Sequence, residues 1–218
     1  MSGKKLQERL GYSFSDVSLL RLALTHPSYG APNNQRLEFL GDAVLQLCIS
    51  EKLYDENPEA PEGKLTRQRA LLVQERSLYS AALRLDIGGS LILGKGELVS
   101  GGNLRPSILA DAMEAIIGAI FLDSGLDAAR SFVKHMLLNI DSSEWRDYKT
   151  ELQEFVQAQG KQMPTYEIIC SEGPAHDIRI TAAVFIDGRR MGVGKGKSRK
   201  DADQAAARQA LNELGSQD

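Results

Sequence analysis

The chain has 218 residues and a formal net charge of −3, with 42% hydrophobic and 25% charged residues. These proportions exclude whole-chain disorder and collagen-like repeats, and the length allows one large domain or two small ones. A pI near 5.7 counts against a strongly basic nucleic-acid-binding surface, although an average can hide a local patch. Two cysteines, Cys48 and Cys170, form no CxxC or CxxH pair, so neither a cysteine-based zinc site nor a disulfide framework is indicated. Cys48, beside Leu47 and Ile49, reads as a buried thiol. Residues 1–9 are charged and carry no apolar core segment, and the apolar run at 115–122 falls far short of the ~20 residues that span a bilayer. The expected setting is the cytoplasm, without a membrane partner.

In chain order, Val17, Leu20 and Leu24 recur near the helical period. Leu37, Leu40, Val44, Leu45, Leu47, Cys48 and Leu53 then carry a helix over 36–54. Pro58 and Pro61 break the pattern, and one further helix is predicted from about 62 to 85 on Leu65, Leu72, Leu78 and Leu83. Glycines at 88, 89, 94, 96, 101 and 102 mark a loop-rich stretch. Helices resume at 107–123 and 126–140. The domain boundaries read as 1–141, a polar linker at 142–147 with Trp145 as a packing anchor, and 148–218. In the last segment the period changes. A short amphipathic helix (150–159) precedes strand-like stretches at 165–170, 178–186 and 189–193. Asp187-Gly188 is a hairpin signal, and an alanine-rich helix covers 201–214. The expected architecture is a multi-domain one: an all-α domain followed by a small α+β unit in α-β-β-β-α order.

Two acidic pairs stand out. Glu38 and Asp42 lie at i,i+4, and Asp111 and Glu114 at i,i+3 in a strongly apolar stretch. Each pair shares a helix face, and carboxylates among apolar residues are costly unless paired or metal-bound. Oxygen-only ligands suit hard ions such as Mg²⁺ or Mn²⁺, and paired metals of that kind support phosphodiester cleavage by an activated water. Either pair alone is ordinarily a solvated helix face, and periodicity does not show that the two helices meet.

The segment Arg36-Leu37-Glu38-Phe39-Leu40-Gly41-Asp42-Ala43-Val44-Leu45 resembles the signature of bacterial ribonuclease III, a double-stranded-RNA endonuclease. The resemblance extends through Thr25-His26-Pro27-Ser28-Tyr29, through Glu62-Gly63-Lys64-Leu65-Thr66-Arg67 and through 107–115. It implies that Glu38, Asp42, Asp111 and Glu114 bind Mg²⁺, with Mn²⁺ as a substitute, and that Asp42 and Glu114 are catalytic. It implies an auxiliary acid at Glu62, whose alternative reading is a carboxylate favoured by a helix N-terminus. It also implies a homodimer, staggered cuts leaving 5′-phosphate and 3′-hydroxyl ends, and precursors of ribosomal RNA and structured messenger RNA as substrates. Many relatives carry a glutamate where this chain has Gln35. His26 reads as a loop-folding residue and His135 as a surface residue. Phe39, Leu40 and Val44 fit a dimer interface or the core equally well.

Six basic residues fall between Arg189 and Lys200 with no acid among them. Gly192, Gly194 and Gly196 read as keeping that backbone open, and Ser198 as the N-cap of the following helix. Gly196-Lys197-Ser198 lacks the first glycine of a Walker loop, and these glycines miss the dinucleotide spacing, so no nucleotide cofactor is expected. The run 194–200 with its alanines resembles the C-terminal half of a double-stranded RNA-binding domain. Thr150-Glu151-Leu152-Gln153-Glu154-Phe155 resembles the first helix of such a domain, and Gly173-Pro174-Ala175-His176 its first hairpin loop. The resemblance implies that Gln153 and Gln157 face one minor groove. Pro174, Ala175 and His176 reach a second, and Lys197, Arg199 and Lys200 hold phosphates between them. Such domains read A-form shape rather than sequence. The rival readings are a catalytically silent double-stranded RNA-binding scaffold and a metal-dependent hydrolase of small phosphates, which would have no use for 148–218.

Overall fold

The computed structural model describes residues 2–138, 147–174 and 178–215. Most of the predicted linker, with Trp145, and the predicted contacts Ala175 and His176 lie outside the described residues. The chain divides into two compact units, residues 1–145 and 146–218.

The first unit is helical: α1 (Ser2–Leu10), α2 (Val17–Ala23), α3 (Gln35–Glu56), α4 (Glu62–Val73), α5 (Glu75–Arg84), α6 (Lys95–Val99) and α7 (Pro106–Leu138). Helix α1 has no counterpart in the sequence reading. Its Leu6 and Leu10 are fully buried, but two leucines among charged residues are too short a pattern to register. Helix α7 is the central element. Leu109, Met113, Ile116, Ile117 and Ile120 are completely buried in it, each contributing about 1.5–3 kcal/mol by leaving water. It bends at Gly125, whose φ of 79° departs from the helix, at the break predicted between 123 and 126.

The helix predicted over 62–85 is two helices. Gln74 adopts extended backbone (ψ 155°) between α4 and α5. That one residue redirects the chain: α4 packs on α3, whereas α5 packs on α7. Leucine spacing alone reads through such a joint because the apolar faces on its two sides are buried against different partners. The glycine-rich stretch holds the five-residue α6 as well as two 3₁₀ turns.

Helices α3 and α7 cross at backbone contact. A Cβ on Gly41 would lie 1.8 Å from the Glu114 carbonyl oxygen and 2.9 Å from the Gly118 nitrogen. A Cβ on Gly118 would lie 2.3 Å from the Leu37 carbonyl oxygen. The two glycines therefore permit an approach that any side chain would prevent. Arg130 adds a two-pronged bond from α7 to Glu51 of α3, at 2.8 and 3.1 Å.

The second unit comprises α8 (Tyr148–Ala158), β1 (Thr165–Glu172), β2 (Arg179–Ile186), β3 (Arg189–Gly196) and α9 (Arg199–Gly215). The antiparallel sheet has the order β1-β2-β3. Leu152 and Val156 of α8 and Ala206, Ala207 and Ala210 of α9 share a core with Val184 and Ile186. Asp187 and Gly188 turn β2 into β3 with positive φ at both residues (48° and 75°), as a tight hairpin requires. Strand β3 runs three residues past its predicted end. Gly192, Gly194 and Gly196 do not open the backbone: they are strand residues pressed against α9. Cβ atoms there would meet Ala206 O at 2.4 Å, Ala206 N at 2.1 Å and Ala202 N at 2.5 Å. Ser198 caps α9, its hydroxyl accepting from Asp201 N at 3.1 Å.

Replacing Gly41 by alanine gains about 1 kcal/mol of helix propensity yet forces the two backbones apart. The expected result is a net loss of about 1–3 kcal/mol, typical of overpacking, read as a lower urea midpoint. An unchanged or higher midpoint would show that α3 and α7 can separate freely.

Candidate active site and nucleic-acid interface

Gly41 lies between Glu38 and Asp42 in sequence, and the backbone it touches is that of Glu114. The α3–α7 crossing therefore brings the two predicted acidic pairs to one place. Glu38, Asp111 and Glu114 are partly buried and Asp42 is exposed. Burial raises the Glu38 carboxyl above its usual range, and Asp111 adds to the effect. Burial also raises Asp111, with His26 opposing and Glu75 reinforcing. Glu114 is pushed up to about 8, first by burial and then by Asp42, Glu38 and Asp111. All four predicted acids thus share one field with Glu114 at its centre.

The acids converge without closing into a coordination shell. Among the described residues no group of three or more His, Cys, Asp or Glu side chains is gathered to hold a metal ion as it lies. Like charges in a partly buried cleft repel, so splayed side chains are the expected arrangement of four carboxylates facing one another. The donor set itself fits a hard divalent cation. It is all oxygen, drawn from two rigid helices, and short of positive charge.

Glu62 stands apart within the chain. It is exposed at the start of α4, accepts from the Thr66 hydroxyl at 2.6 Å, and is not among the charges that shift Glu38, Asp111 or Glu114. Gln35 is the exposed first residue of α3. His26 has the loop role expected of it. Its Nδ1 accepts from Ser28 N at 3.1 Å, and the Ser28 hydroxyl accepts from Gly94 N at 3.0 Å, tying this turn to the glycine-rich stretch. The same ring also acts on Asp111. Sequence reasoning missed both that influence and Glu75. A helix predicted to run through 74 places Glu75 mid-helix, whereas the break makes it the first residue of α5, where its charge acts on Asp111.

The second unit displays the predicted cationic run. Lys197, Arg199 and Lys200 are exposed around the start of α9, Gln153 and Gln157 are exposed on α8, and Pro174 is exposed in the β1–β2 loop. Gln153 and Lys200 line one cavity of about 320 Å³ together with Lys149, Tyr166 and Gln204. Residues from α8 and α9 that the sequence could only name separately are therefore neighbours. The N-terminus of α9 adds its own positive dipole end to the lysines beside it.

Residues 16–140 match a family described as Ribonuclease-III-like, and residues 148–214 match the Double-stranded RNA binding motif. Ribonuclease 3 of Dechloromonas aromatica is 46% identical, covering 98% of this chain and 99% of that protein. Ribonuclease 3 of Pelotomaculum thermopropionicum is 48% identical, covering 97% and 93%. Among solved structures, the nuclease domain of ribonuclease III from Campylobacter jejuni superposes with a TM-score of 0.60 at 44% identity, over 62% of this chain and 94% of that one. That structure was described for flexibility in a region involved in dimer formation. With both units matched in order, and with relatives this similar along nearly its whole length, the chain belongs to the ribonuclease III family.

Proposed function

We propose that this family member, an endoribonuclease acting on double-stranded RNA, cuts at the α3–α7 crossing and grips its duplex with the second unit. Glu38, Asp42, Asp111 and Glu114 hold the divalent cation, Mg²⁺ with Mn²⁺ as a substitute. Asp42 and Glu114 are the acids closest to the chemistry, and Glu62 is an auxiliary acid. The observation that carries this reading is the convergence of both acidic pairs through Gly41 and Gly118. When bound, the cation supplies an activated water for attack on phosphorus and stabilises the oxygen that leaves. The chain's own contribution is positional. Glu114 is fixed by the most buried helix of the unit, and Asp42 faces solvent, the side from which a backbone phosphate arrives. Cys48 is buried in the core and His26 Nδ1 is engaged by Ser28, so neither serves as a nucleophile.

Gln153, Gln157, Pro174, Ala175 and His176 contact the two minor grooves, while Lys197, Arg199 and Lys200 hold phosphates. The products carry 5′-phosphate and 3′-hydroxyl ends with a short stagger. The substrates are precursors of ribosomal RNA and structured messenger RNA in the cytoplasm. The active form is a homodimer, which pairs two acid sites. Phe39, Leu47 and Tyr54 are 81%, 49% and 72% exposed along α3, α4 has no buried residue despite its leucines, and a twofold interface would cover such a surface on both subunits. Val44, by contrast, is buried in the core. No helix among the described residues is long and apolar enough to cross a membrane.

Glu114→Gln is expected to abolish cleavage of a labelled RNA duplex in Mg²⁺ while duplex binding in EDTA stays near that of the unsubstituted chain. Equal loss of both would contradict the division of labour, and binding without cleavage by the unsubstituted chain in Mg²⁺ or Mn²⁺ would favour the silent scaffold. Replacing Lys197 and Lys200 together by alanine should weaken binding and flatten its salt dependence by about two phosphate contacts; an unchanged slope would remove these lysines from the interface. The raised Glu114 carboxyl also sets a stability trend. Folded Glu114 keeps its proton where the unfolded chain has lost it, so the folded state binds more protons between 4.5 and about 8. Stability in EDTA should therefore fall as pH rises through that window, and Glu114→Gln should flatten the fall in urea midpoints. A wild-type curve that does not fall between pH 5 and 8 would mean that Glu114 lies outside the shared field.

A further inference from the structure

The second unit contains a half-buried ion pair, with its carboxylate buried and its ammonium partly exposed, that plays no part in the contacts proposed above. Asp203, on the inner face of α9, is 4% exposed, and it accepts from Lys149 Nζ of α8 at 2.9 Å. The same ammonium lies 4.4 Å from the centroid of the Tyr166 ring of β1, so one cation joins three elements. Lys149 N donates to Gln204 Oε1 at 3.3 Å, and Gln204 Nε2 donates to Asp147 Oδ1 at 2.8 Å. Asp147 in turn caps α8 by accepting from Thr150 N. Asp203 Oδ1 and the Tyr166 hydroxyl are buried with no partner among the described residues. A carboxylate this buried is tolerated only while its counter-ion stays in place.

Lys149 and Gln153 are separated by one helical turn and therefore share a face of α8. Charge alone would add Lys149 to the phosphate-binding set. The structure instead pairs that charge with Asp203, beside the cavity that Gln153 and Lys200 also line. We propose that Asp203 and Lys149 are positioning residues for duplex binding. Their ion pair fixes α8 against α9 and thereby sets the span between Gln153 and Lys200, and Lys149 itself makes no phosphate contact. This inference rests on the assignment of Gln153 and Lys200 as RNA contacts. A duplex has a fixed groove spacing and its recognition here is by shape, so a change in that span weakens binding without removing a charge from the interface.

The test measures binding of the full chain to an RNA duplex of about 20 base pairs in EDTA, over a range of salt concentrations, for Asp203→Asn, Lys149→Met, Lys149→Arg, Gln153→Ala and Lys200→Ala. Folding of each variant is checked by circular dichroism and thermal unfolding. Asp203→Asn and Lys149→Met are expected to weaken binding about tenfold, within the range over which contacting residues couple, with the salt slope unchanged. Lys149→Arg, which can keep the ion pair, should restore most of the affinity. Lys200→Ala should instead reduce the slope by about one. Gln153→Ala should cost less in the Asp203→Asn background than in the unsubstituted chain, a non-additivity that a purely structural role would not produce. The proposal is overturned if Lys149→Met lowers the slope as Lys200→Ala does, or if the Gln153 and Asp203 effects simply add. Should Asp203→Asn fail to fold, Lys149→Met replaces it in the same cycle and is judged by the same criteria. If neither Gln153→Ala nor Lys200→Ala changes binding, the contact assignment itself fails and this inference goes with it. Additive effects at working contacts would overturn the positioning role alone.

Discussion

Two glycines facing each other across a helix crossing hold the catalytic unit in its working form. Gly41 and Gly118 let α3 and α7 meet backbone to backbone, with hypothetical Cβ positions only 1.8 and 2.3 Å from carbonyl oxygens of the opposite helix. Everything chemical about the unit follows from that closeness. The acids at 38 and 42 flank the first glycine, and the acids at 111 and 114 lie within two turns of the second. Were the helices held farther apart, at the usual 8–10 Å between axes, the same carboxylates would act on one another less strongly. At this crossing burial first, and then the charges of Asp42, Glu38 and Asp111, push Glu114 up to about 8.

That electrostatic strain is retained because the scaffold around it leaves little room for relaxation. The apolar face of α7 is buried along the stretch that carries Asp111 and Glu114, and Arg130 ties the same helix to Glu51 of α3. Interiors packed to this density do not deform gradually, so mutual repulsion is expressed in the side chains and in their protonation rather than in the backbone. A divalent cation held by these acids, as proposed above, would relieve the repulsion directly.

The second unit uses the same device for a different end. Gly192, Gly194 and Gly196 bring β3 into contact with the alanine face of α9, and the helix start that results carries Lys197, Arg199 and Lys200 into solvent. The overall charge of −3 is therefore a poor guide to partners. Neither unit needs to be basic on average, because acids collect at one helix crossing and cations at one helix start. Charges of opposite sign are segregated by the fold, and the nearby Lys149 is withdrawn from the cationic set by Asp203.

The sequence by itself determined the kind of each unit. The helical period of 36–54, the alternation of 178–186 and the Asp187-Gly188 turn are local signals written in neighbouring residues, and the four acids and the cationic run were legible from spacing and residue type. What it could not supply was anything that depends on which surfaces meet. The joint at Gln74, and with it the approach of Glu75 to Asp111, arises because α4 and α5 pack on different helices. The glycines of β3 read as keeping the backbone open because nothing in the local pattern shows that α9 folds back onto them. The pairing of Lys149 depends on Asp203, which is 54 residues away. Local periodicity fixes which face of an element is apolar, but the identity of the face across from it is a property of the packed structure, and there the four acids are brought together and Lys149 is paired with Asp203.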